Sequence, residues 1–262
     1  MNYLPQLGTH ASVQFPATNE LEARTIVNRL DGGSVVRSID GSARRKAWRL
    51  EFANLSDTER QAVESFFHAV AGRLGNFPFL DPFQNLFVRS NEMSHAAWVR
   101  EAPLALTAGA SDPMGGTAAV TAANAAAAAR RLYQSLTIPA GFRYTLSVYV
   151  RAASPALFNL FFTDGANTVA QTYPVGSAWN RVALSGVVGG LAEQMDAGVE
   201  LPAGAQIQLF GAQLEAQPAA SDYKPTGAEG GVYSSARLMQ DELVWTSPAP
   251  GLHSTKLTIA SR

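Results

Sequence analysis

Apolar and polar residues alternate with a period of two over much of this chain. Trp48, Leu50 and Phe52 alternate with Arg49 and Glu51, which predicts a strand with one buried face. Ahead of it, residues 25–30, the turn Asp31-Gly32-Gly33 and residues 34–39 predict a β-hairpin, with glycine where positive φ is needed. Asp40-Gly41 predicts a second turn. The period then becomes helical. Ser56-Asp57-Thr58-Glu59 fits a capping box, in which the hydroxyl and carboxylate satisfy free amides of the first turn. Val63, Phe66, Phe67 and Val70 follow as a core stripe, and Gly72 marks the stop. Residues 77–83 are apolar but broken by Pro78 and Pro82, which suits an edge strand or an extended connector. Short strands recur at 236–238, 243–246 and 256–259, with a turn at 248–251. Three such strands cannot form a core of useful size alone, so they complete the sheet begun before Asn85.

The middle of the chain repeats the strand pattern with different punctuation. Phe142, Tyr144, Leu146, Val148 and Val150 alternate with Arg143, Thr145, Ser147 and Arg151, a strand with one buried face. Phe158, Leu160 and Phe162 do the same before a turn at Asp164-Gly165, and residues 175–184 read as another strand. Ile207 and Leu209 alternate with Gln206 and Gln208, and Phe210-Gly211 suggests a bulge. The alanine-rich run 118–131 has helical propensity. Its turn-like approach, Asp112 to Gly116, and the extended look of 132–136 argue instead for strand, loop, strand, with 125–129 as the loop. Short strands with little helix argue for a β-sandwich or jelly roll.

Composition narrows the classes. At 262 residues, domains of the usual ~100–150 residues would number two. The apolar fraction of 47% supports real cores. A net charge of −1 supplies no field toward nucleic acid or anionic membrane, so neither specific nucleic-acid binding nor membrane insertion is expected. No run approaches the ~18 apolar residues of a membrane span, and Met1 to Pro5 carry no secretion signal. The absence of cysteine removes disulfides, thiolate metal sites and thiol nucleophiles together. The expectation is a protein made in the cytoplasm without redox chemistry.

Catalytic chemistry is hard to find. His10, His68, His95 and His253 have no metal-ligand spacing, and no nucleotide or hydrolase fingerprint occurs. Asp241 and Glu242 would point to opposite sides of a strand, which is wrong for an acid–base pair. No enzyme activity and no cofactor are therefore expected. Asp112 and Asp222 could supply carboxylate oxygens to a structural calcium, the alternative being that Asp112 only begins a turn with Pro113. Tyr133, Tyr149, Phe161 and Tyr173 are the glycan-binding candidates by strand phase, set against half-buried framework roles. Arg44, Arg45 and Lys46 form a basic cluster that suits a solvated loop or a contact to an acidic neighbouring subunit.

Two resemblances organise these pieces. Residues 48–52, Leu55-Ser56, Glu59, Phe66-Phe67, Gly72-Arg73 and 79–82, with Arg237-Leu238 and Leu243-Val244-Trp245, resemble the distal tail and minor tail proteins of long-tailed bacteriophages. That family implies a β-sandwich with a packed helix, forming a sixfold ring with copies of itself between the tail tube protein and the tail-tip hub protein of the virion. Residues 85–98, 112–116, 144–150, 179–181 and 211–223 resemble the carbohydrate-binding-like jelly rolls appended to phage tail and fibre proteins. The expected fold is mainly β: a discontinuous β-sandwich domain (1–84 plus 228–262) with one packed helix, carrying an inserted jelly roll (85–227). The flanks and the loop around Arg44–Lys46, with the N-terminal segment to about Glu22, would contact neighbours. The insert would face outward as an accessory or bind host cell-surface glycans.

Overall fold

A computed structural model describes residues 1–40 and 45–261 of the chain. It is mainly β, and it divides into two compact units, one of Met1–Gly8, Ser12–Phe79 and Tyr233–Arg262, the other of Thr9–Ala11 and Leu80–Val232.

The first unit opens with β1 (Ala17–Arg29) and β2 (Val35–Leu55), an antiparallel hairpin whose register shifts between Glu22 and Arg24. Its loop closes as expected: the Leu30 amide donates to the Ser34 carbonyl (2.9 Å), and Gly33 takes φ +80°. Of the turn expected at Asp40-Gly41, Asp40 instead pairs with Arg24 in the ladder, while Gly41 and Arg44 lie outside the described residues. Trp48, Leu50 and Phe52 are buried to 3% exposure or less. Helix α1 (Asp57–Ala69) follows with its full capping box, and the Glu59 carboxylate also accepts the Gly8 amide (2.8 Å). Its buried stripe is Val63, Phe66 and Val70. Phe67, one residue round the helix, is only partly covered, so the stripe is narrower than the spacing suggested. β3 (Phe77–Leu80) is an edge strand, the position that tolerates Pro78. In the N-terminal segment Leu4, Leu7 and Val13 are buried, and the Gln14 side chain exchanges hydrogen bonds with the Ala53 backbone.

The second unit contains ten strands: β4 (Val99–Arg100), β5 (Ala105–Ala110), β6 (Ala119–Ala123), β7 (Arg130–Leu136), β8 (Arg143–Arg151), β9 (Ala156–Thr163), β10 (Thr168–Val175), β11 (Asn180–Val187), β12 (Met195–Leu201) and β13 (Gln206–Glu215). They form two five-stranded antiparallel sheets, ordered β10-β9-β12-β7-β4 and β11-β8-β13-β6-β5. Leu132, Phe158, Leu160 and Phe162 of the first sheet share one core with Val120, Leu146, Val148 and Leu209 of the second. The alanine-rich run is strand, loop, strand. Asn124, 2% exposed, donates to the Ala128 and Leu201 carbonyls and accepts from the Ala126 amide, which holds the loop against its helical propensity. The expected bulge is present too: the β13–β8 register shifts between Phe210 and Gln213, with Gly211 at φ +62°.

Two expectations need correction here. Residues 175–184 are not one strand, because β10 ends at Val175 and pairs with β9, whereas β11 starts at Asn180 and pairs with β8 in the other sheet. The crossing is tied by the Ala152 amide on the Gly176 carbonyl (2.8 Å) and by the Arg151 guanidinium over the Trp179 ring (4.8 Å). β8 is also buried on both faces, since Thr145 and Ser147 are covered by the segment 216–221: the Thr145 hydroxyl donates to Gln217, and Arg181 links Ser147 to Ser221. The unit's own ends meet, with the Asp81 amide on the Gly231 carbonyl and the Gly231 amide on the Asn85 carbonyl (both 2.8 Å).

The chain returns to the first unit as β14 (Val232–Leu238), β15 (Thr246–Ala249) and β16 (Leu252–Ser261). β16 lies between β2 and β14, giving the sheet order β1-β2-β16-β14-β3, so the C-terminal strands complete the sheet begun before Asn85. Trp48 packs on Phe79 and Tyr233 at 4.7 and 4.8 Å between centroids. The strand expected at 243–246 is displaced to Thr246–Ala249, and the turn shortens to Pro250-Gly251. Residues 243–245 are held by side chains rather than a ladder: the Thr255 hydroxyl donates to the Val244 carbonyl (2.7 Å), and Arg60 lies over Trp245 (5.6 Å).

Candidate functional site

The β1–β2 hairpin runs on past its own sheet. Among the described residues β16 pairs with β2 only from Lys46 to Leu55, so residues 24–40 form a ribbon of two strands, and β1 has no partner on its other side. Pairing of Thr25 with Ile39, Val27 with Arg37 and Arg29 with Val35 puts Val27, Val35 and Ile39 on one face; Ile26 and Val36 take the other. Their exposure runs from 40% (Ile26) to 68% (Ile39), and Leu30 at the tip is 54% exposed. A bare two-stranded ribbon is marginal in water, and proteins normally blunt such edges with charge or proline. This arm does carry charge, with Arg29 and Arg37 on the first face and Arg24 and Asp40 on the second, yet it also leaves apolar side chains exposed on both. Strict alternation is missing from 25–39, and that was the available signal for a ribbon with apolar side chains on both faces.

The basic cluster at its root behaves differently from a solvated loop. Lys46 is half-buried; its ammonium lies 5.3 Å from the centroids of both Trp48 and Tyr233 and donates to the Tyr233 hydroxyl (3.1 Å). Arg45 lies against the Met239 thioether, and it lines a groove with Arg24, Arg73, Arg237, Glu22 and Asp40. Arg44 is outside the described residues.

In the second unit the four aromatic candidates are dispersed. Tyr133 and Phe161 stand on the outer face of the β9-β12-β7 sheet, their rings 6.3 Å apart across Gly198. Phe161 is 1% exposed beneath the Arg131 guanidinium (4.4 Å), so its ring face is occupied. Arg131 also donates to Glu200 (2.8 Å). Burial raises the Glu200 carboxyl, but bonds from Arg131 and Asn159 outweigh it and hold it below the ordinary range. Burial, with the charges of Asp196 and Glu101, pushes the half-buried Tyr133 phenol up. Tyr173 pairs with Phe158, which places it on the core side, and its hydroxyl donates to Ala183 (2.7 Å). Tyr149 sits on the other sheet between Phe210 and Tyr223, with Arg181 over its ring.

Around Tyr223 the segment 216–226 forms a strap over the β8–β13 face. Glu215, 2% exposed, accepts from the Ser221 amide and hydroxyl, Gln213 and Lys224. Burial pushes its carboxyl up, yet these four donors together hold it below the usual carboxylate range. The Tyr223 hydroxyl meets Ser90 (2.8 Å) and Asn91, and burial pushes this phenol up to about 12. Asp112 accepts from the amides of Ala118, Gly116 and Met114, which lower its pKa and turn its oxygens to its own loop. Asp222 is exposed. Among the described residues no group of three or more His, Asp or Glu side chains could hold a metal ion. Nor is any helix among them long and apolar enough to cross a membrane. Buried His253 bridges Ser247 (2.8 Å) and Asp57 (2.7 Å), tying the helix start to the last hairpin. Asp241 pairs with Arg73 (2.7 Å).

No protein-family model and no curated protein matches the chain. Among solved structures, the enzymatically active domain of tailspike protein 4 from bacteriophage CBA120 is similar over 52% of this chain, at 15% identity and a TM-score of 0.41; the match spans only 22% of that chain. The CBM22-1 xylan-binding domain of Paenibacillus barcinonensis Xyn10C is similar over 54% of this chain and 99% of its own, at 16% identity and a TM-score of 0.44. TmCBM61, solved with β-1,4-galactotriose, is similar over 50% of this chain and 97% of its own, at 14% identity and a TM-score of 0.39.

Proposed function

We propose that this chain is a structural subunit of a phage tail tip, a distal tail protein that closes into a ring with copies of itself. In the virion the ring joins the tail tube protein to the tail-tip hub protein, and the second unit is an outward accessory. The observation that carries this reading is the arm of residues 24–40. Ile26, Val27, Leu30, Val35, Val36 and Ile39 are each about half exposed, so covering them stabilises an assembly by about 1 kcal/mol apiece, on the order of 6 kcal/mol per subunit. A projecting arm that meets a different surface of the next copy makes a head-to-tail contact, the kind that closes by rotation. A sixfold ring follows from the tail-protein resemblance.

Sedimentation of the full-length chain tests the reading. The wild type is expected to form a ring-sized species. The double variant Val27→Asp/Ile39→Asp is expected to sediment as a monomer with an unchanged melting temperature, because both side chains are solvent-facing in the subunit. A wild type that stays monomeric, both alone and in assembled tails, would sink the proposal.

A second reading, host-glycan binding by the second unit, draws on the polar row Arg131, Glu200 and Asn159 beside the half-exposed Tyr133. It predicts retention of the full chain on a glycan array and loss of that retention in Tyr133→Ala. An array without any positive saccharide removes it.

A further inference from the structure

The groove at the arm's root has an unbalanced charge. Most cations near it are matched: Arg24 with Asp40 (3.8 Å), Arg49 with Glu20 (3.1 Å), Arg73 with Asp241 (2.7 Å) and Lys256 with Glu51 (2.8 Å). Arg45 and Arg237 both line the groove, and among the described residues neither has a carboxylate within 4.0 Å. Glu22 stands opposite Arg45 in the ladder without an ion pair to it. At the far end of the arm, Asp31 is exposed and has no cation within that distance among the described residues. It sits on a slim tip, since Gly32 and Gly33 carry no side chain and a Cβ at either would meet nothing within 4 Å.

Resting on the ring reading, we infer that Asp31 at the arm tip of one copy docks in the groove of the next, between Arg45 and Arg237. Its own groove is out of reach. At ~3.3 Å per residue the strand carries Asp31 roughly 25 Å from Ala23, which lines that groove. The partner is therefore a second copy, and a tip entering a root is a head-to-tail contact. A guanidinium fork offers paired N–H donors to the two carboxylate oxygens, which adds direction to the attraction. The apolar arm faces supply affinity, and this pair sets the register in which neighbours meet.

Charge exchange on the full-length chain tests it. Asp31→Arg alone, and Arg45→Asp/Arg237→Asp alone, are each expected to weaken association at least about tenfold by sedimentation. All three changes together are expected to restore the wild-type distribution. Asp31→Asn guards against repulsion as the cause and is expected to give a smaller loss in the same direction, with far-UV dichroism unchanged throughout. Reversals that leave assembly intact, or a triple variant as defective as its parents, would overturn the inference. If the wild type assembles and only Val27→Asp/Ile39→Asp breaks it, this pairing is wrong and the ring stands; a monomeric wild type removes both.

Discussion

Replacing Glu215 by alanine tests whether a buried charge holds the strap over the β8–β13 face. Glu215 is 2% exposed and receives the Ser221 amide (3.0 Å) and hydroxyl (2.5 Å), Gln213 (2.8 Å) and the Lys224 ammonium (2.9 Å). Truncation leaves one cation without its counterion and three further donors without their acceptor. Breaking a buried pair in this way costs about 3–5 kcal/mol. Lys224 keeps 32% of its side chain exposed and can turn to water, so the lower end, about 3 kcal/mol, applies. At about 2–4 °C per kcal/mol for a protein of this size, the melting temperature should fall by roughly 6–12 °C. Glu215→Gln keeps the shape and one acceptor oxygen, and should lose about half as much. The sign of the pH dependence follows from a carboxyl held below its unfolded value of about 4.3. Its stabilisation is present above that value and is lost as pH falls through the lowered folded value. Thermal unfolding followed by calorimetry should therefore show the gap between wild type and Glu215→Ala closing below about pH 4. A loss under about 2 °C at neutral pH, or a gap that stays constant into acid, would refute the reasoning.

Two further substitutions probe separate parts of the fold. Ser56→Ala removes the helix cap and should cost about 1 kcal/mol by chemical denaturation; a loss below about 0.3 kcal/mol would mean that the bond from Gly8 to Glu59 anchors the helix start alone. Gly198→Ala would put a Cβ 2.1 Å from the Leu132 carbonyl oxygen and 2.6 Å from the Tyr133 Cα, both backbone atoms. The β12–β7 ladder would have to part, so the second unit should lose cooperative unfolding in calorimetry, and a melting temperature within a few degrees of wild type would contradict the close approach.

Much of the secondary structure was legible because its causes are local. The capping box is a four-residue exchange of hydrogen bonds, and the bulge at Gly211 needs only a residue that tolerates positive φ. Period two at 48–52 and 158–162 reports a buried face whichever strand lies alongside. Longer-range contacts overrode local pattern elsewhere. Residues 175–184 look continuous because apolar side chains recur through both halves without a strong breaker, yet the halves belong to different sheets. Thr145 and Ser147 read as solvent-facing until a strap some seventy residues later covers them. The aromatic candidates suffered most: strand phase alone could not anticipate Arg131 lying over Phe161, or Tyr173 packing against Phe158.

By itself the amino-acid order determined a mainly β chain with one capped helix and an alanine-rich loop between two strands, since local pattern and turn residues signal each of them. Only the tertiary structure decided how the strands of the second unit divide between two sheets, which polar faces are sealed, and that a ribbon with apolar side chains on both faces is left bare. Those outcomes depend on partners tens to hundreds of residues away, and a side chain's pattern records what surrounds it without naming the segment that does so.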